Sequence, residues 1–392
     1  MHRVESAQIK ELVLVGGGHT HLGVLERLSR SPLGAVRLTV ICREESTPYS
    51  GMLPGLIAGH YASADIHIDL RPLCRLAGAR FVHGEVTGLD LAGRLVLCAE
   101  RPPVPYDLLS LNIGSAPDLR AVPGAAASAV PVRPIEPFIA HWQALCHRAL
   151  ERRGPLHIGV VGAGAGGVEI LLAIQFGLRQ RLAAAGKNPN DVHLSLFTDS
   201  ARILPTHDRR TRRIFEHLLA ERGIQVRTGQ AVTALAPGRL TLADGSVYLL
   251  DEVLWATSAA PPPWIARSGL AVDAQGFVTV RNTLQSISHP EVFAAGDVAT
   301  MIDQPRPKAG VFAVRAAKPL AQNLRRAVLG RALRPFKPQA HFLSLISTGD
   351  PCAVASRNGW VLHGPVMWRW KNWIDRRFVS RFRIADTDAA RS

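Results

Sequence analysis

Ile158-Gly-Val-Val-Gly-Ala-Gly-Ala-Gly-Gly-Val-Glu169 reads as an apolar strand, a glycine turn and the start of a helix. The motif is GxGxxG, and each glycine has a task. Gly162 allows the tight turn, Gly164 lets the backbone approach a pyrophosphate, and Gly167 allows close packing of helix on strand. A pyrophosphate placed there meets the helix N-terminus, where free N–H groups and the helix dipole both favour negative charge. The following apolar run, Val192–Phe197, ends in Thr198-Asp199, which makes Asp199 the expected acceptor for adenosine ribose hydroxyls. Arg202, Arg209, Arg210, Arg212 and Arg213 come next, and any of them could hold a 2′-phosphate. NADH and NADPH both stay open, with Asp199 leaning toward NADH.

The same plan occurs earlier in the chain. Residues 11–15 form a short, largely apolar run, Gly16-Gly17-Gly18 follows, and Leu22, Leu25 and Leu28 recur at helical spacing. His21 stands at the third glycine position and should hold helix and strand further apart. The next strand, Val36–Cys42, ends in Cys42 where an acid is expected, followed by Arg43, Glu44 and Glu45. Residues 47–61, TPYSGMLPGLIAGHY, are too rich in Gly, Pro and Tyr for a regular helix and read as a loop crossing a ligand. Residues 81–86 and 94–98 read as strands of a small antiparallel sheet, and YDLLSLNIGS at 106–115 as a buried strand ending near Gly114. Residues 117–137 read as a linker, 138–152 as a helix, and a new domain is expected near Leu156. Beyond it, the apolar run 252–255 closes on ATSAAPPP just as 106–115 closes on small residues. That internal repeat predicts two dinucleotide domains. Pro290-Glu-Val-Phe-Ala-Ala-Gly-Asp-Val-Ala299 then supplies a further strand whose Gly296 turns the chain so that Asp297 faces a ligand. A ribityl hydroxyl is its natural partner, against the plainer reading of an ordinary Gly-Asp turn.

With 392 residues and 47% hydrophobic content, the chain can bury a large core in two or three domains. Five scattered cysteines without a CxxC pair argue against a zinc site and suit a reducing compartment. No apolar leader opens the chain and no run of membrane-spanning length occurs, which predicts a cytoplasmic protein. The net charge is +15, and from Met301 onward 17 Lys or Arg stand against 5 Asp or Glu. There, 341–347 and 352–356 read as two strands, and after Pro365 the residues Met367, Trp370, Ile374, Phe378 and Phe382 form one helical stripe with Arg369, Arg376 and Arg383 opposite. A basic helix rich in Trp and Phe suits an anionic membrane interface; packing on its own protein or on a homodimer mate is the alternative. No nucleic acid is expected, because no reader motif accompanies the charge.

Four motifs in order, GGGHTH at 16–21, YDLLSLNIGS at 106–115, GAGAGGVE at 162–169 and HPEVFAAGDVA at 289–299, resemble the pyridine nucleotide-disulfide oxidoreductase superfamily over residues 11–331. The branch resembled is that of type II NADH dehydrogenases. The 47–61 stretch and the histidine-bearing first turn are similar to the subgroup associated with selenide, water dikinase. The resemblance implies an α/β fold with two Rossmann-like dinucleotide-binding domains. These are a discontinuous FAD domain (1–118 and 285–335) and an NAD(P)H domain (119–284), with a small C-terminal α+β region (336–392) holding a strand pair and the basic helix.

By the same resemblance, Gly16, Gly17, Gly18, His19 and Thr20 would line the FAD pyrophosphate, with Cys42 and Arg43 beside the adenosine. Val86 would meet the adenine through its backbone, Gly114 would lie along the cofactor, and Asp297 would hold the ribityl chain. Gly162, Gly164, Gly167 and Asp199 would take the nicotinamide nucleotide, and Glu169 would lie near nicotinamide and flavin. A helix beginning near Val311 and Phe312 would aim its N-terminus at the flavin C2 carbonyl, with Lys308 adding positive charge. Three departures stand out: residues 49–55 carry no CxxxxC pair, 309–314 carry no AQxAxQ segment, and Cys42 replaces the acid. They argue against disulfide reduction, put quinone as acceptor in question, and weaken the hold on FAD. The implied function is an NAD(P)H oxidoreductase passing electrons to a quinone-like acceptor. The alternatives are a soluble reductase of a selenium or sulfur compound, a sulfide:quinone oxidoreductase using Cys146 and Cys352, and a non-catalytic flavin-binding module.

Overall fold

The computed structural model describes residues 9–257 and 259–383. The expectation of no leader at residues 1–8, and the end of the C-terminal region past 383, lie outside them. Ten strands build two parallel sheets: β1 (Lys10–Val15), β2 (Val36–Cys42), β3 (Ala79–His83), β4 (Leu108–Leu111), β5 (Val130–Pro131), β6 (Leu156–Val161), β7 (Val192–Phe197), β8 (Gln225–Arg227), β9 (Glu252–Trp255) and β10 (Val292–Ala294). The first sheet has the order β10-β4-β1-β2-β3 and the second β5-β9-β6-β7-β8. Both are five-stranded and parallel throughout. In each sheet the strand order reverses beside the strand that feeds a glycine turn, β1 or β6, and ligands of such sheets lie at that switch point.

Apolar runs of this kind form central strands because layers cover both faces. Leu12, Val13 and Leu14 are wholly buried, as are Ile158 and Val160. The helices that frame the two glycine turns are α1 (His19–Arg30), α2 (Leu53–Ala58), α3 (Ile135–Glu151), α4 (Ala165–Ala184), α5 (Arg209–Glu221), α6 (Gly310–Val328) and α7 (Pro365–Ser380). Helix α1 packs on α6 through Gly23, where a Cβ would lie 2.6 Å from the Ala317 methyl. His21 is fully buried at the third glycine position and is accommodated by bonding: its Nδ1 lies 2.7 Å from the Gly16 carbonyl and its Nε2 2.8 Å from the Ser110 hydroxyl.

Several expectations change. Residues 81–86 do not form an antiparallel strand: β3 joins the parallel sheet beside β2, and the small sheet is Val86–Asp90, Leu95–Cys98 and Arg101–Pro105. The stretch 47–61 contains helix α2, opened by Pro54 and ended by Gly59 at φ +88°, and it packs directly on α4, where a Cβ at Gly177 would lie 2.3 Å from the Ile57 carbonyl. Residues 117–137 are more than a linker, since β5 pairs with β9, and Ala116–Pro117 pairs antiparallel with Ala259–Ala260 to tie the two units together. The C-terminal strand pair is a sheet of three: Ser344–Ser347, Ala353–Arg357 and Trp360–Gly364. Its last strand escapes sequence reading because it is an edge with little burial.

The apolar stripe of α7 is also corrected. Phe378, Val379 and Phe382 point inward, but they share that face with buried Lys371 and Asp375. Trp370 and Trp373 face outward with Val366, and the neighbouring strand adds Trp360 and Leu362.

One side chain joins the three chain segments at the first switch point. The Asn112 carboxamide oxygen accepts the N–H groups of Thr20 and His21, each at 3.1 Å, and its Nδ2 donates to the Ala295 carbonyl at 2.7 Å. Its backbone carbonyl accepts from Gly18 N–H, and its own N–H donates to Val15. Asn112 is buried, so truncation strands partners that water cannot reach. Asn112→Ala should lose at least about 3 kcal/mol of stability, at roughly one kcal/mol or more for each of three stranded groups. Chemical denaturation of the variant against wild type measures it.

Candidate functional site

The first glycine turn is shaped for close approach. Gly16 holds φ +92°, and a Cβ there would lie 2.5 Å from the Asn112 carbonyl; at Gly18 it would lie 2.4 Å from the Asn112 Oδ1. Gly17 is closed by Thr47 and Leu70, with the Cys42 sulfur 3.3 Å away. His19 opens α1, half-buried, and its Nε2 is buried with no hydrogen-bond partner among the described residues. Burial holds its pKa down at about 4 against the pull of nearby Asp297. Thr20 donates its hydroxyl to the Ala313 carbonyl at 2.7 Å, which brings the start of α6, with Val311 and Phe312, against the start of α1. Gly296 fits between Asn112 and Ala313, so Asp297 follows at the same place. The structure thus gathers residues 16–20, Asp297 and the α6 N-terminus from the ends of the chain.

Arg133 was not anticipated from sequence. It reaches across from the segment after β5 and donates to Asp297 Oδ2 at 2.8 Å. At the end of β2, burial raises the pKa of the Cys42 thiol, and Arg43 bonds the Glu44 carboxylate. Glu44 and Glu45 line a cavity of about 670 Å³ with His67, His83 and Glu136, so acids absent at Cys42 stand two and three residues further on. Val86 begins its strand nearby, paired with Cys98. Gly114 has φ +71° and open space beside it.

The second turn follows the same logic. A Cβ on Gly162 would lie 2.5 Å from the Ala256 carbonyl, and on Gly167 1.9 Å from the Gly162 carbonyl, whereas Gly164 faces open space. Asp199 is exposed at the end of β7. Lys308 is placed differently from a residue pointing into a cradle. Its Nζ donates to the Ala299 carbonyl at 2.6 Å and the Thr300 hydroxyl at 2.8 Å, and lies 3.8 Å from the Phe277 ring centroid. Burial lowers its pKa to about 8.

Glu169 lies in α4, five residues past Gly164, and accepts Ser347 N–H at 2.7 Å. Burial pushes its pKa up to about 7, with Lys371 pulling back. Lys371 bonds Asp375 at 2.6 Å and the Gly51 carbonyl at 2.7 Å. Burial opposes its charge, but Asp375 and Glu169 outweigh it and raise its pKa. Tyr49 hydrogen-bonds Asp375, and its ring stacks on Phe378 at 4.4 Å and meets His19 edge-on at 5.2 Å. A connected set of polar and aromatic groups therefore runs from the second glycine helix through α7 to the first. Of these groups, only Glu169 and His19 are visible in the motifs; nothing in the sequence pattern marks the lysine and acid at 371 and 375 as a buried pair.

Two glycine cradles at switch points, with groups able to bind two dinucleotides, define a flavoprotein oxidoreductase fold. The residues fit FAD: glycines whose Cβ would fill the cradle, an orphaned His19 nitrogen and an acid at the strand end. A family model for pyridine nucleotide-disulphide oxidoreductases matches residues 10–317, and the chain belongs to that family, whose cofactors are FAD and NAD(P)H. It is 24% identical over 338 residues to the NADH dehydrogenase-like protein YutJ of Bacillus subtilis, covering 84% of this chain and 87% of that one. It is 26% identical to the type II NADH:quinone oxidoreductase NdhA of Mycobacterium tuberculosis, over 73% of this chain and 66% of that one. Among solved structures, the sulfide:quinone oxidoreductase of Aquifex aeolicus superposes with a TM-score of 0.78 at 19% identity, covering 97% of this chain and 94% of the other.

Glu169 carries a pH signature. A carboxyl with its pKa raised from 4.5 to about 7 binds its proton more tightly in the folded chain, so its favourable contribution is complete below pH 4.5 and is lost as pH rises through about 7. Glu169→Gln removes that dependence. The melting temperature of the variant should gain on wild type between these pH values and level off above them, as read by parallel thermal scans.

Proposed function

We propose that this chain oxidises NAD(P)H at one cradle and delivers electrons to a quinone-like acceptor that reaches the site from an anionic membrane surface. Residues 1–118 and 285–335 form the FAD domain in this reading and 119–284 the NAD(P)H domain. FAD bound in the first cradle supplies the two-electron chemistry. Gly16 to Thr20 bind its pyrophosphate, Asp297 holds the ribityl chain with Arg133 fixing the carboxylate, and Gly162, Gly164 and Gly167 bind the nucleotide. Glu169 and Lys371 hold protons beside the route that the acceptor takes, and Lys308 fixes the segment leading to α6. No cysteine lies in residues 49–55, which favours chemistry without a redox-active disulfide.

The observation that carries the acceptor is the two-sided build of α7. Its inner face places Phe378 against Tyr49 and His19 at the flavin cradle. Its outer face leaves Trp373 57% and Val366 63% exposed beside Trp370 and Trp360, with Arg369 and Arg377 exposed alongside. Apolar rings flanked by cations are stable at a lipid headgroup boundary and unfavourable in bulk water. Among the described residues no helix is long and apolar enough to cross a membrane, so attachment would be peripheral. The second reading, a soluble reductase of a selenium or sulfur compound, is supported by the likeness of the first turn and residues 47–61 to the dikinase-associated subgroup.

Protein reduced anaerobically by nicotinamide nucleotide should regain its oxidised flavin absorption on adding decylubiquinone. Recovery with selenite or polysulfide alone would establish the second reading instead. Replacing both outward rings, Trp370→Ser with Trp373→Ser, should weaken sedimentation with anionic vesicles by about tenfold or more, since loss of ~1.4 kcal/mol suffices for that factor. Unchanged sedimentation would remove the membrane from the proposal.

A further inference from the structure

We propose that the nucleotide cradle is built for NADPH, with the 2′-phosphate held by Arg202, Arg209 and Arg213. This inference rests on the NAD(P)H oxidoreductase reading and specifies its donor. A cavity of about 430 Å³ is lined by Ala201, Arg202, Arg209, Arg212, Arg213 and Glu216. Positions 209, 212, 213 and 216 share one face of α5, and the loop carrying Arg202 lies opposite.

The location selects the ligand. The loop leaves β7 at the strand end where an adenosine ribose is expected, and Leu204 N–H donates to the Ala163 carbonyl at 2.8 Å. That bond clamps the loop onto the middle of the GxGxxG turn, so the cavity opens beside the pyrophosphate cradle. A free-standing anion site elsewhere on the surface would have no such tie.

The charges select a phosphate. Arg209, Arg212 and Arg213 occupy the first two turns of α5, which has no acid in its first turn. Cations at a helix N-terminus oppose the helix dipole. The cap is already filled, since Asp208 accepts Thr211 N–H at 2.9 Å. Some exposed arginines elsewhere are paired, as Arg30 with Glu26, Arg120 with Asp118 and Arg148 with Glu252. Here Arg212 is engaged by the His207 carbonyl, but Arg202, Arg209 and Arg213 make no ion pair with a described acid. Three guanidinium groups around one cavity, with Glu216 the one acid in its lining, match the oxygens of a phosphate monoester. Asp199 does not line the cavity, and it takes only a 3.5 Å contact from the Ser200 hydroxyl. It can therefore serve the other ribose hydroxyl while the arginines outweigh its charge.

Initial rates with each nucleotide, and calorimetric titration with 2′,5′-ADP against 5′-AMP, test this on the full-length protein. Wild type should favour NADPH in kcat/KM and bind 2′,5′-ADP more tightly. Arg209→Gln with Arg213→Gln should cut kcat/KM for NADPH about ten- to a hundredfold through KM, the factor expected from losing a charge-assisted hydrogen bond, and move NADH by less than about twofold. The preference for 2′,5′-ADP should disappear in the same variant. Reduction by NADH alone, an unchanged preference in the variant, or equal displacement of both adenosine ligands by inorganic phosphate would each overturn the assignment. If neither nucleotide reduces the flavin, the oxidoreductase reading falls, and the 2′,5′-ADP titration still decides the arginine site independently.

Discussion

The carboxamide of Asn112 is the interaction on which the first cradle depends. It sits where β4 ends and satisfies the first turn of α1 with its oxygen and the end of β10 with its nitrogen. Helix N-terminal N–H groups left unpaired in a dry interior are costly, so this one amide fixes the height at which α1 begins. Gly16, Gly18 and Gly296 are then required around it, since each would place a Cβ within 2.5 Å of an Asn112 atom. The glycine turn is thus held as much by the asparagine behind it as by its own sequence.

Charge burial sets the other constraint. Lys371 and Asp375 lie at the inner face of α7, and neither is stable there without its partner. Their pairing, together with the bond to the Gly51 carbonyl, sets the helix at one height against the 47–61 segment. Phe378 is thereby brought onto Tyr49, and the raised carboxyl of Glu169 is kept within the field of the lysine. One helix accordingly forms part of the cradle wall and presents aromatic rings to the outside.

Glycine spacing made both Rossmann cores legible, because only glycine tolerates such contacts and the pattern repeats in order. Strand ends at Cys42 and Phe197 were readable for the same reason, as apolar runs closing on polar residues. Contacts between distant segments were not. Arg133 meets Asp297 across 164 positions, and nothing local to either residue announces the other. Asn112 did carry a signal, a polar amide closing an apolar strand, although its partners did not show. The C-terminal helix was misread in orientation, since periodicity locates apolar residues but not which of two apolar faces meets the core; a buried lysine at 371 defeats simple hydropathy. The 47–61 helix was hidden by Pro and Gly that serve as its start and stop.

The placement of β10 governs how the polypeptide must be made. Its pairing partner β4 is complete at Leu111, yet the edge it covers waits for residues 292–294. During synthesis the whole intervening unit emerges from the ribosome while that edge stays open, a template for pairing with another nascent chain. Closure of so long a loop is slow. The interval before residues 292–294 arrive is therefore when the nascent chain is most open to mispairing, and the first cradle is finished only after it closes.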